Sequence, residues 1–140
     1  MQYFWTVKVI RFIPTLFTIG ILISMYFYPG GNIHDPLQTG YSFTHNFLSD
    51  LGGMNSRSGE SNIVSSYIFN ACMISFFLGG IAFLYVPGLF KNDRTNYYLA
   101  LIGSMFFFMG ASFFAGVGFT PHDLYLDQHI FFAINGFRLM

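Results

Sequence analysis

Charge is what this 140-residue chain has least of: six basic and six acidic side chains, 9% of the total, against about 25% in an ordinary soluble domain. So few charges cannot clothe a particle dissolved in water. The balance between the signs leaves no basic surface to neutralise phosphates, which excludes a nucleic-acid partner. A single cysteine, Cys72, excludes an internal disulfide framework and a thiolate zinc site. There is no HExxH pair, GxSxG elbow, phosphate-cradling glycine loop or dinucleotide fingerprint. What the chain has in abundance is apolar surface. Hydrophobic residues make up 54% and aromatic ones 21%, with a mean hydropathy of +0.52. That richness excludes a disordered tail and indicates a protein dissolved in lipid.

The charge-free gaps set the spans. Phe12 to Ile33, Ile63 to Val86 and Tyr97 to Phe119 carry no Asp, Glu, Lys or Arg, and a helix needs about 20 apolar residues to cross a bilayer core. The predicted spans are 10–29, 63–86 and 97–119, followed by a fourth, 121–140, whose first third is polar and which is read as incomplete. The expected fold is a single all-α domain over 1–140: a polytopic transmembrane bundle of three full spans plus a partial fourth, read as a piece of a six-helix bundle. Lys8 and Arg11 before the first span could mark a signal peptide. However, the bulky exit Tyr26-Phe27-Tyr28-Pro29 offers no small-x-small cleavage site, so the segment is read as an uncleaved anchor.

Orientation follows from the bases. Lys8, Arg11, Lys91 and Arg94 fall on one side of the predicted spans, opposite Arg57, while five of the six acids lie with Arg57. The reading is a multi-pass protein of the cell membrane (the inner one in a diderm bacterium), with its N-terminus cytoplasmic and two acidic loops outside. Tyr26, Tyr28, Tyr41, Tyr67 and Tyr125 then sit near the outer ends, and Trp5, Tyr3, Tyr85, Tyr97 and Tyr98 near the inner ends, where amphipathic rings collect. Small residues four apart, Ala111 with Ala115 and Ser112 with Gly116, together with Gly79 and Gly80, offer close helix approach. Asn70 is the one strongly polar side chain deep in a span, expected to be an interhelical hydrogen-bonding link.

The outer loops carry the remaining chemistry. Phe43, Phe47, Leu48 and Leu51 recur at helical spacing, with Ser42 suited to N-cap and Gly52 to stop a helix. This predicts an interfacial amphipathic helix over 40–53. Thr120, Pro121 and Asp123 form a helix-start signal on which His122 and His129 share a face. Neutral imidazoles with a carboxylate can hold zinc and activate water, so His45, His122, His129 and Asp123 are the candidate ligands. The alternative has Asp50 and Asp123 capping helices and the histidines bonding at the interface, with no cofactor. Ser49 has His45 and Asp50 nearby in sequence, but adjacency alone does not build a triad.

The stretch Asn46-Phe47-Leu48-Ser49-Asp50-Leu51-Gly52, and later Gly116-Val117-Gly118-Phe119-Thr120-Pro121-His122-Asp123 followed by His129, resemble the signatures of a group of small polytopic membrane proteins. These are the prokaryotic domain-of-unknown-function proteins similar to the eukaryotic DRAM/Frag/Sfk family. The resemblance implies a six-helix or similar bundle starting inside the cell. It singles out Asn46, Ser49, Asp50, Gly52, Pro121, Asp123 and His129, and it brings no reaction or cofactor. The sequence therefore favours a structural, lipid-interacting or partner-binding membrane protein, in contact with lipid and open to homo-oligomers or other membrane subunits, over an enzyme. The alternatives are a metal-dependent hydrolase acting on lipid at the outer face, and a small transporter for which only Asn70 speaks.

Overall fold

The computed structural model describes all 140 residues, Met1 to Met140. Its regular structure is all helical, and its only bridges of β type are two isolated pairs in the first long loop. A π-helical turn over Phe4–Val9 runs into α1 (Ile10–Phe27), followed by α2 (Ile63–Phe83), α3 (Arg94–Phe119) and α4 (Leu126–Leu139). Two 3-10 helices complete the set, Leu48–Gly52 in the first loop and Val86–Phe90 between α2 and α3. Three segments are long and apolar enough to cross a membrane: Phe4–Phe27, Ile63–Phe90 and Arg94–Phe119. The fourth helix has 14 residues, and at 1.5 Å per residue it reaches only about 21 Å.

The first span begins earlier than the charge pattern predicts, because Lys8 and Arg11 ride on the helix instead of ending it. Pro14 lies inside it without an N–H to donate, a loss that transmembrane helices tolerate by local rewinding. Thr15 and Thr18 hydroxyls donate back to the Arg11 and Pro14 carbonyls at 3.0 and 2.9 Å.

The helices pack in chain order, α1 on α2, α2 on α3 and α3 on α4, while α1 and α4 do not close on each other. Lipid offers no hydrophobic drive for such packing, so close approach and polar links carry it. At Gly80 an added Cβ would lie 2.9 Å from Ala111 Cβ and 3.2 Å from Phe108 Cα, which marks it as the notch where α2 meets α3. Ala111 and Ala115 are buried as the small-residue pattern anticipates, and Gly116 receives the Phe132 ring of α4. Ser24 of α1 donates to the Ser65 carbonyl of α2 at 2.8 Å, fully buried. The apolar core (Ile21, Tyr28, Leu51, Phe69, Met73 and Val117) sits toward the end that carries the two long loops. At the opposite end Trp5 stacks on Tyr85, with ring centroids 5.4 Å apart.

Two loop expectations are corrected. Residues 40–53 do not form an amphipathic helix: turns lead into the 3-10 helix Leu48–Gly52. Gly52 lies inside it instead of stopping it, and Gly53 follows in extended backbone at φ −70°. The reason is Asp50, which turns back to bind the Phe47 N–H and so caps a short helix begun after Phe47. Likewise α4 starts at Leu126, not at Pro121. Thr120 donates its hydroxyl to Gly116 O at 2.9 Å, finishing α3, and Asp123 is drawn across to the first loop.

Candidate functional site: the loop end and the groove beneath it

Asp50 is the hub of the loop end. Its side chain is fully buried. One oxygen, Oδ1, accepts from Arg57 Nε and Nη2, each at 2.9 Å. The other accepts from Phe47 N at 2.9 Å and Asn46 Nδ2 at 3.1 Å. A buried carboxylate is tolerable only when paired and fully hydrogen-bonded, and these donors supply both. Arg57 was visible in the sequence only as the one base on the acidic side. That isolation was the available signal for a partnered cation.

The rest of the first loop is tied down by side chains at the start of α2. Asn62 donates Nδ2 to Leu51 O and Gly53 O at 3.0 and 2.8 Å. Ser66 donates to Gly52 O at 2.9 Å, and Asn70 Nδ2 to the same carbonyl at 3.1 Å. Asn70 is thus a link from a span to a loop carbonyl, not between two spans. Tyr28 accepts the Arg57 N–H at its hydroxyl at 3.0 Å, and burial there raises its phenol above the ordinary value. Gly31, at φ +78°, takes a backbone form that suits glycine where the chain passes Arg57 and Ser58.

The second loop clamps onto the first. Asp123 accepts the Met54 and Asn55 N–H groups, one on each carboxylate oxygen, both at 3.0 Å. Beside it His122 and His129 stand with ring centroids 6.0 Å apart, although they do not share a helix. His122 Nε2 is 3.9 Å from Asp50 Oδ1, and its Nδ1 is buried without a hydrogen-bond partner. Burial, followed by the nearby Arg57 cation, holds its pKa below the ordinary 6.5 despite Asp50 and Asp123. His129 is 6% exposed, and its Nδ1–H donates to Thr120 O at 2.7 Å.

Of the four candidate zinc ligands, the structure pairs His122 with His129 near Asp123 and sends His45 elsewhere. Asp123 spends both oxygens on backbone N–H groups. His45 is exposed, bonded to Thr44 Oγ1 at 2.8 Å and edge-on to His34. No group of three His, Cys, Asp or Glu side chains converges in an arrangement that could hold a metal ion. Of the motif residues, Asn46, Asp50, Gly52 and Asp123 all enter the loop network, and Pro121 accepts from Leu124 N and Tyr125 N as a single turn.

Below this network lies a groove of about 550 Å³. It occupies the space that α1 and α4 leave open in front of α2 and α3. Twelve of its 14 lining residues are hydrophobic, among them Phe17, Phe76, Phe114, Ala133 and Ile134, and the other two are Ser49 and His129. Composition gives no hint of such a space, because it depends on which helices fail to meet. Comparison of the chain with family models, curated proteins and solved structures finds no match, so the resemblance to the DRAM/Frag/Sfk proteins rests on its motif residues alone.

Proposed function

We propose that the protein is a lipid-binding integral membrane protein that takes one acyl chain of a membrane lipid into the groove between α1 and α4. The observation that carries this reading is the groove itself. Its volume falls in the range of about 300–1,000 Å³ usual for small-molecule sites, and its wall is almost wholly apolar. It lies in a bundle whose outer helix faces carry exposed apolar side chains suited to lipid tails. In that setting an aliphatic chain is the solvent and fills the apolar part of the space, away from Ser49 and His129, without desolvating anything polar. The loop network above it is tied by internal hydrogen bonds from Asp50, Asn62, Ser66 and Asp123 and acts as a fixed roof.

The test is lipid retention. Purified in mild detergent, the wild-type chain is expected to carry lipid at about one molecule per chain by mass spectrometry. Ala133→Trp, which fills the groove, is expected to abolish that retention without lowering the thermal midpoint. Equal lipid content in both proteins would overturn the reading.

The orientation we infer places the two loops outside the cell and Lys8, Arg11, Lys91 and Arg94 inside, on the positive-inside tendency. With Cys72 replaced by Ala, a cysteine at Arg94 is expected to resist a membrane-impermeant maleimide added to intact cells, and one at the exposed Glu60 of the first loop to react. The reverse pattern would invert the topology.

A further inference from the structure

The polar end of the groove specifies more than an acyl chain. Thr120 O can only accept, so in the neutral ring of His129 the proton sits on Nδ1 and Nε2 is a lone-pair acceptor. That ring is 6% exposed and on the groove wall, and Nε2 has no partner within the protein. Ser49, the only other polar residue of the lining, offers a hydroxyl that is likewise unpartnered. The end of the groove therefore presents one acceptor and one hydroxyl that can donate.

Charge narrows the ligand further. No Lys, Arg, Asp or Glu lines the groove. The nearest cation of the loop end, Arg57, directs Nε and Nη2 at Asp50. A phosphate or carboxylate placed here would lose its water without gaining a countercharge, which apolar sites do not tolerate. An alcohol meets both groups: its O–H donates to His129 Nε2 and its oxygen accepts from Ser49. The volume suits one chain with a small head.

Building on the acyl-chain reading, we propose that the groove selects a single-chain lipid with an uncharged hydroxyl head, of the monoacylglycerol class, held by His129 Nε2 and Ser49 Oγ. The ring is a binding residue in this role. Its Nδ1–H to Thr120 O bond fixes the tautomer that makes Nε2 an acceptor.

The experiment uses the chain reconstituted in phosphatidylcholine vesicles and two photo-crosslinkable probes with the same diazirine-bearing chain, a monoacylglycerol and a lysophosphatidate. Labelling of peptides containing Phe114 and Ile134 is quantified. The monoacylglycerol is expected to label these about tenfold more than the lysophosphatidate, the scale of one buried hydrogen bond. His129→Asn keeps a donor near Nδ1 and deletes the acceptor. It is expected to remove that preference, His129→Gln to restore part of it, and Ser49→Ala to lower it several-fold. Equal labelling by both probes, unmoved by His129→Asn and Ser49→Ala but suppressed by Ala133→Trp, would overturn the head-group assignment and leave the acyl groove standing. Absence of groove labelling by either probe, or labelling unaffected by Ala133→Trp, would overturn both. Crosslinking of groove residues to a second copy of the chain in place of lipid would do the same.

Discussion

His122 is the residue on which acidity acts. Its imidazole is held neutral by burial and by Arg57, with its pKa below 6.5. Above that value the folded and unfolded states are both neutral, and the group contributes no pH dependence. As pH falls below 6.5 the unfolded chain takes up a proton that the folded chain refuses, so stability drops with falling pH. The loss continues until the folded-state value is passed. His122→Gln is expected to flatten this part of the stability curve, read as thermal midpoints in detergent on both sides of pH 6.5. An unchanged slope would show that the ring is not the sensor. Asp50 differs in kind: with four hydrogen-bonding contacts at 2.9–3.1 Å, its charge is part of the architecture. These roles were half legible in the sequence. The motif and the helix-start signal drew the eye to Asp50, Asp123, His122 and His129. The partners that give them meaning (Arg57, Asn62, Ser66 and the backbone of Met54 and Asn55) lie in no periodic pattern, because side-chain bonds to loop backbone obey no repeat.

At the scale of the element, the spans were the most legible part and the loop helices the least. A run of apolar residues has one stable form in lipid, the helix that bonds its own backbone. Composition therefore placed α1, α2 and α3 to within a few residues. A loop at the membrane edge has water and neighbouring side chains as alternative partners. The capping signals at Ser42 and Thr120 were accordingly outbid by Asp50 and Asp123, which bind backbone elsewhere. Glycines separate the two cases within a single pair of helices. Gly80 lies against Ala111 and Phe108, whereas Gly103 of α3 has open space where a Cβ would go. Gly80→Ala is expected to push α2 and α3 apart at a cost of about 1–3 kcal/mol, the usual range for overpacking. Gly103→Ala is expected to be neutral or to stabilise by up to about 1 kcal/mol through helix propensity. Thermal unfolding in detergent compares the two. Equal losses would show that the notch at Gly80 is not a contact point.

For the molecule as a whole, the arrangement is a row of helices roofed at one end, with the groove as the gap in the row. The roof also imposes an order on biosynthesis. Leu51, Gly52 and Gly53 offer carbonyls to Asn62, Ser66 and Asn70, so the first loop cannot settle before α2 has entered the bilayer. Its Met54 and Asn55 N–H groups wait longer still, for an acid 68 residues further along than Asn55. During translation this loop is therefore an unlocked strap until the chain beyond α3 has been made, with Asp123 as its latch. Nascent chains arrested before Asp123 has emerged are expected to be cut by trypsin after Arg57, and chains long enough to carry Asp123 and α4 to resist. Asp123→Ala is expected to leave the longer chain as vulnerable as the arrested one, and resistance in that variant would refute the latch.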